Sequence, residues 1–408
     1  MTSAALRDLR AEFPALDEGL CFLDWGASGL LPARTRAAMQ AFLEKLAACP
    51  TAQSVWMWGE HGDGEGTRGR ARAAIARMLG AKADDVALVE STTAGLQTAA
   101  ESARVQEGDN VVLWEHDYPA VAIPWTVRAR SRKLEVRFAR TKDGAPDVDD
   151  LVARIDDRTR VVAVSTIGWT TGALVDLDAI AAETRARGIV LAVDAVQTFG
   201  VAPLDVRAVP ASYVACGGHK WLCSPLGAGF LYAEPRTAAR GRPQRFGLLA
   251  GRPARHSDWT AWFRSGEGGP DEEVVFPASG AALETGGQPS WPGAIGLAAA
   301  TELLASAATG ETLRHVRDLG DRLIAGLDTL GLETISPRDP TRRAGIVVFR
   351  APRGREQELA WCDALRRRRV AVTPRWSKGL GGVRVCLHAM NLEADVDRLL
   401  DELRALPR

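Results

Sequence analysis

Residues 190–232 read VLAVDAVQTFGVAPLDVRAVPASYVACGGHKWLCSPLGAGFLY, and this stretch decides how the rest of the chain is read. An apolar run over 189–193 ends on Asp194, and a second over 213–216 passes through Gly217, Gly218 and His219 to Lys220. Both runs are short, apolar and bounded by turn residues, as strands buried on both faces are. A lysine after two glycines lies where bare backbone lets another group approach closely. An aspartate at one strand end and a lysine just past another face the same edge of a parallel sheet, the edge where ligands gather.

The pattern continues on both sides. Further apolar runs at 86–89, 111–114, 134–138, 161–164 and 229–232 alternate with helical segments, one opening near Thr93 and another over 178–187 with an acidic start and Gly188 as its stop. Strands alternating with helices predict an α/β fold with a mostly parallel seven-stranded sheet covered on both faces. Periodicity weakens from Arg236 to Gly287, an irregular excursion expected to return to the core near Phe276. Beyond Gly293 come helices at 294–305 and 312–330, a strand at 345–350, a helix at 356–368, a strand at 382–387 and a final helix at 392–406. The expected organisation is a large domain over 20–287 and a smaller α/β domain made of 1–19 and 288–408.

A chain of 408 residues, 46% hydrophobic and 25% charged, is globular in composition. Basic and acidic residues balance at 51 each, so no net field favours nucleic acid or a membrane surface, and the expected partner is a small molecule. The arginine run 366–369 falls at a predicted helix end, where it complements the dipole. Residues 1–19 lack the apolar core of a signal peptide and no apolar run is long enough to span a membrane, which predicts a cytoplasmic protein. The six cysteines form no CxxC pair and no ligand rhythm with histidine, so reduced thiols and no metal site are expected.

Five predicted strand ends collect Ser91, Glu115, Ser165, Asp194 and Gly217. Lys220 with Asp194 is the pair that pyridoxal phosphate chemistry needs: the amine holds the cofactor aldehyde as a Schiff base, and the carboxylate keeps the pyridine nitrogen protonated. Gln197, one turn past Asp194, is a candidate donor to the phenolic oxygen. Ser91, Thr92 and Thr93 open a helix directly after a strand, where free amides and hydroxyls suit a phosphate. In Trp114-Glu115-His116-Asp117-Tyr118-Pro119, an aromatic ring can stack on the cofactor, with Tyr118 the first choice and His116 the alternative.

Taken in order, these motifs resemble the class V aminotransferase family, the pyridoxal-phosphate enzymes that include cysteine desulfurases, isopenicillin N epimerases and kynureninases. The resemblance rests on FLDWGAS (22–28), STTAGL (91–96), VDAVQ (193–197), CGGHKWLCSPLGAGFLY (216–232) and RVCLHAMNLEADVDRLLDEL (384–403), and covers nearly the whole chain. It implies the fold-type-I architecture of these transferases and a homodimer with active sites at the interface. It also implies Lys220 as the Schiff-base residue, His219 and Trp169 beside the cofactor, Arg384 as the clamp on the substrate α-carboxylate, and Ala27 and Ser28 near the substrate. Arginine suits that clamp because its fork of donors meets a carboxylate at two points.

Departures from the family pattern carry expectations of their own. The segment 372–380, expected to be a mobile loop, has no cysteine, which predicts that the enzyme is not a persulfide-forming cysteine desulfurase; Cys386 is expected in the core. Trp169 stands where desulfurases have an asparagine, Gly217 where a phosphate-binding serine is expected, and Gly287 or Gln288 where a partner subunit lends a threonine. His116-Asp117-Tyr118-Pro119 with Pro124-Trp125 is closer to the epimerase and kynureninase branches. The expected activity lies at Cα of an α-amino acid: β-elimination such as carbon–sulfur cleavage first, an epimerase-like outcome beside it, and true transamination next. A binding or regulatory protein that keeps the fold without turnover is the reading from another class, and retention of Lys220, Asp194 and Arg384 together speaks against it. Trp25, Trp169, Trp376 and the aromatic stretch 259–263 suggest an aromatic-lined pocket.

Overall fold

The computed structural model describes residues 8–49, 66–241, 251–284, 290–305 and 309–407. Gly287 and Gln288 lie outside the described residues. Seven strands form the central sheet: β1 (Val86–Val89), β2 (Asn110–Trp114), β3 (Glu135–Ala139), β4 (Thr159–Ser165), β5 (Val190–Asp194), β6 (Tyr213–Gly217) and β7 (Gly229–Ala233). Their order is β1-β7-β6-β5-β4-β2-β3; β7 runs antiparallel to its neighbours β1 and β6, and the remaining pairs are parallel. This is the mostly parallel seven-stranded sheet that the apolar runs predict. Alternate residues feed two apolar layers, with Val112, Val162, Leu191 and Val214 on one face and Val111, Val161, Ala192 and Ala215 on the other. Burial of both faces is why these strands read as continuous apolar runs.

The periodicity reading places no helix at α1 (Ala33–Ala48), α2 (Thr67–Leu79) or α4 (Pro119–Arg132). The inward face of α2 is largely alanine, glycine and threonine, so its hydrophobic contrast along the sequence is weak. Between the sheet strands the helices that the sequence does announce are α3 (Thr92–Ser102) and α5 (Leu177–Ala186). The N-cap of α5 is Asp176, whose carboxylate accepts from the Ala179 amide at 3.0 Å, and Gly188 follows at φ 66°. Helix α6 (Trp291–Ala305) packs across α1 and α2.

The C-terminal part carries a four-stranded antiparallel sheet, β8 (Glu333–Thr334), β9 (Ile346–Arg350), β10 (Thr373–Ser377) and β11 (Leu380–Cys386), in the order β8-β9-β11-β10. Helices α7 (Thr309–Thr329), α8 (Arg355–Arg367) and α9 (Glu393–Arg404) accompany it. The N-terminal segment joins this sheet region: Cys21 and Phe22 pair with Val370 and Ala371, and Asp24 bridges to Cys386. One buried cluster runs from Val193 of β5 to Val385 of β11, so the two sheets share a core.

Two local expectations need correcting. Residues 372–380 are not a loop: β10 and β11 form a hairpin closed by the Ser377–Leu380 pair, with Lys378 at φ 46° and Gly379 at φ 85°. Positive φ at both central residues is what a two-residue hairpin turn with the right twist requires. The excursion regains the core at Gly280–Leu283 and Glu284 rather than at Phe276. Glu284 is almost fully buried; its Oε1 accepts from the Arg68 Nε at 2.7 Å, and its Oε2 accepts from the Leu88 amide at 3.0 Å and pairs with Arg72. No single helix among the described residues is long and apolar enough to cross a membrane.

Candidate active site

The neighbouring parallel strands β5 and β6 bring Asp194 level with Ala215, and the chain then turns through Gly217 and Gly218 to the lysine. The turn is held by Gly218 donating to the Ala228 carbonyl at 2.8 Å and Ser224 donating to the Gly218 carbonyl at 2.9 Å. Against it lies the N-terminal segment, where the Gly29 amide donates to the His219 carbonyl at 2.7 Å. A Cβ at Gly29 would stand 2.2 Å from the Lys220 carbonyl oxygen, so only glycine permits this approach.

The result is a cavity of about 280 Å³ between the sheet's strand ends and the β10–β11 hairpin. Lys220 and Asp194 line it, as do Gln197, His219, Trp169 and Tyr118. Ser91, Thr92 and Thr93 enter from the start of α3, Ala27 from the N-terminal segment, and Arg384 from β11. Two expected residues are not brought in. Ser28 is exposed and donates to the His219 carbonyl at 3.4 Å, and the His116 ring turns to Thr141, with Nδ1 at 2.6 Å from its hydroxyl. Of the two candidate stacking rings, the structure therefore brings Tyr118 to the lysine, with Nζ 5.5 Å from the ring centroid. Tyr118 also meets Trp169 edge to face at 5.3 Å. The wider aromatic lining does not form: Trp25 donates to Asn391 at 2.9 Å, Trp376 to Glu358 at 2.7 Å, and Trp259 and Trp262 pack on each other. Cys386 is buried, and burial pushes its thiol up to about 11.

The local hydrogen bonds say what remains available. Ser91 caps α3 by accepting from the Ala94 amide at 3.1 Å, and the first intrahelical bond runs from Gly95 to the Ser91 carbonyl. The Thr92 and Thr93 amides precede that bond and point out of the helix start, where an anion is favoured. Thr92 Oγ1 accepts from the Gly217 amide at 2.8 Å, so the glycine that replaces the expected serine is tied to the helix cap. Gln197 donates to the Gly26 carbonyl at 3.0 Å and accepts from Trp221 at 3.0 Å, which leaves one amide hydrogen for a ligand. Arg384 is fully buried; it donates to the Trp169 carbonyl at 3.3 Å, lies 3.6 Å from Asp24, and its Nε has no hydrogen-bond partner among the described residues.

Burial dominates the electrostatics. Desolvation pushes Asp194 up to about 6, opposed by the Val196 amide at 2.8 Å and the Lys220 charge. Desolvation lowers Lys220, with Asp194 acting against it and the Arg384 charge adding to it. His219 is lowered by burial and by Lys220. A lysine amine, a buried carboxylate, a helix start and a buried guanidinium with an unused Nε make a donor set that fits pyridoxal phosphate and an amino acid.

Sequence reasoning missed three residues here. Arg375 lines the cavity from β10, a strand that the sequence does not mark with any clear alternation. Asp24 accepts from the Thr373 hydroxyl beside Arg384. Asp117 is buried under Tyr118, accepting from the Ser165 amide at 2.8 Å, the Ser165 hydroxyl and the Tyr118 amide at 2.7 Å. Burial, aided by the Asp194 charge, pushes Asp117 from 3.8 up to about 7. A carboxyl raised on folding ionises at a cost, so its contribution to stability falls as pH rises through this window. Asp117→Asn removes that cost. The melting temperature of the variant relative to wild type is therefore expected to rise between pH 4 and pH 8, and a flat difference across that range would count against a buried ionising Asp117.

The chain is similar to known proteins over most of its length. The family model for aminotransferase class V matches residues 21–399. The chain is 26% identical over 405 residues to an isopenicillin N epimerase of Streptomyces clavuligerus, covering 96% of each. It is 27% identical over 349 residues to a probable cysteine desulfurase of Staphylococcus epidermidis, covering 82% of this chain and 80% of that one. Among solved structures, a C-DES variant with glycine covalently linked to its PLP cofactor superposes with a TM-score of 0.82 at 22% identity, covering 97% of this chain and 98% of that one. The similarity to cysteine desulfurases overturns the exclusion of that activity drawn from the missing cysteine at 372–380. One segment without a thiol does not outweigh similarity over four fifths of the chain. Together the matched span, the Lys220–Asp194 geometry and the shared fold make this protein a pyridoxal-phosphate-dependent enzyme that belongs to the class V aminotransferase family.

Proposed function

We propose that this enzyme works at the Cα of an α-amino acid whose carboxylate Arg384 holds, with Lys220 as cofactor anchor and proton carrier. The observation that carries the reading is the meeting of Lys220, Asp194 and Arg384 around one cavity. Bound there, pyridoxal phosphate supplies an electron-withdrawing ring that acidifies the substrate's Cα–H bond. Asp194, desolvated and next to Lys220, is the anion for the pyridine nitrogen. Ser91, Thr92 and Thr93 take the phosphate end, Gln197 and His219 border the ring, and Tyr118 with Trp169 forms the wall over it. Arg384 keeps its Nε for a carboxylate, since the Trp169 carbonyl and Asp24 meet its other nitrogens. Burial lowers the Lys220 amine, so the neutral base that takes the Cα proton is available below the ordinary lysine value of 10.5.

Once the proton is on Lys220, delivery of a proton to the opposite face of Cα by a second donor gives epimerisation, and departure of a β-substituent gives elimination. Similarity along 96% of the chain to an isopenicillin N epimerase supports the first, and similarity to a probable cysteine desulfurase supports carbon–sulfur cleavage. A cofactor-binding domain over 20–287, a smaller domain of 1–19 with 288–408, and a homodimer belong to the same proposal. For the dimer, Ile123 and Val127 stand more than half exposed on α4, lining a groove that shares Tyr118 with the cavity.

The test is a panel of L- and D-amino acids, including S-substituted cysteines, incubated with the loaded enzyme in heavy water. Exchange of the α-hydrogen is expected. Inverted Cα would identify epimerisation, keto acid with ammonia or released sulfur would identify elimination, and conversion of the cofactor to its amine form would identify transamination. An enzyme that exchanges no α-hydrogen on any member would overturn the proposal.

A further inference from the structure

Arg375 and Arg384 enter the cavity from one face of the β10–β11 hairpin. Thr373 pairs with Arg384 and Arg375 with Gly382. Residues two apart on a strand share a face, so the two guanidinium groups are diagonal neighbours. Their partners differ. Arg384 has Asp24 at 3.6 Å and the Trp169 carbonyl at 3.3 Å. Arg375, half-buried, makes one hydrogen bond among the described residues, to the Pro374 carbonyl at 3.0 Å, and no ion pair. Asp24 is the carboxylate of this corner: it accepts from the Thr373 hydroxyl, lies 3.6 Å from Arg384, and its charge favours Arg375 as well, so two guanidinium groups share one carboxylate. Burial lowers Arg375, and the Arg384 charge lowers it further, as two like charges in a partly dry site must. An anion between the cavity and its mouth relieves both effects.

One α-carboxylate needs one fork. Resting on the reading that Arg384 takes it, we propose that Arg375 binds a second anionic group of the substrate, so that the preferred amino acids carry a carboxylate or sulfonate on the side chain. The Arg375 fork meets such a group at two points, and neighbouring Tyr118 and Trp169 limit competition from water. A neutral isostere offers the guanidinium no opposite charge and binds more weakly.

The test titrates the pyridoxal-phosphate-loaded full chain and follows cofactor absorbance, with pairs of amino acids that differ in charge but hardly in shape: glutamate against glutamine and aspartate against asparagine, in both L and D forms. In wild type the anionic member is expected to bind about tenfold tighter or more, the discrimination of a paired buried charge. Arg375→Ala should bring that ratio to about one, chiefly by weakening the anionic member, and Arg375→Lys should keep part of it, since charge remains while the fork is lost. A normal response to glutamine or asparagine certifies that each variant is folded and loaded. Equal affinity for charged and neutral members in wild type would overturn the proposal, as would Arg375→Ala weakening both alike. No response to any amino acid would overturn the reading of the Arg384 site itself, and this one with it.

Discussion

Lys220→Ala is expected to lower the rate of α-hydrogen exchange by about 10³-fold, within the range measured for loss of a positioned general base. It should also abolish covalent retention of the cofactor after borohydride treatment, which mass spectrometry of the intact chain reads directly. Lys220 is well placed for both roles because it follows a glycine turn held at 2.7–2.9 Å by the Gly29, Gly218 and Ser224 amides, while its amine reaches the ring of Tyr118. If the variant kept its borohydride-fixed cofactor, another amine would be the anchor. If exchange continued at the wild-type rate, Lys220 would not be the proton carrier. Added methylamine offers a further check, since a small amine entering the vacated space should restore part of the exchange.

Asp194→Asn is expected to weaken cofactor binding and slow exchange by about 10²-fold, the scale for losing one charge of a buried hydrogen-bonded pair. Its effect on the protein alone has the opposite sign. Asp194 is raised from 3.8 to about 6 by burial, so above that pH the folded chain carries a poorly solvated carboxylate that the amide lacks. The cofactor-free variant is therefore expected to melt at or above the wild-type temperature at pH 8, while it loses cofactor more readily on dialysis. This pairing of better stability with worse binding separates a functional carboxylate from a structural one. A variant that held the cofactor as tightly as wild type would remove Asp194 from the site.

These outcomes bear on how legible the site was. The Lys220–Asp194 pair could be read because each ends an apolar run that is continuous along the chain, and continuity is what burial on both faces of a parallel sheet produces. The start of α3 was legible for the same reason, since its cap residues sit directly after β1. The hairpin was not. Its strand β10 carries threonine, arginine, tryptophan and serine at half-buried positions around a buried proline, so no simple alternation marks it, and its turn uses a lysine at positive φ. Reading that segment as a loop hid Arg375, and drawing a reaction from its missing cysteine led to an exclusion that the relatives reverse. Asp117 was quoted within its motif but had no visible role, because its partners Ser165 and Asp194 lie 48 and 77 residues further along.

By itself the sequence determined the α/β class and the seven-stranded sheet, and short windows of hydrophobic pattern and punctuation marked Lys220, Asp194 and the start of α3 as candidates, while Arg384 came from the family resemblance. The tertiary structure alone decided which of those residues share one cavity. It chose Tyr118 over His116 because the His116 ring bonds Thr141, and it turned Trp25, Trp376, Trp259 and Trp262 away into packing and hydrogen bonds elsewhere. It also set a second arginine beside the first. The physical reason is range: strand and cap signals act over a few residues, whereas burial, desolvation and the company a charge keeps are settled by segments that meet only when the sheets share a core.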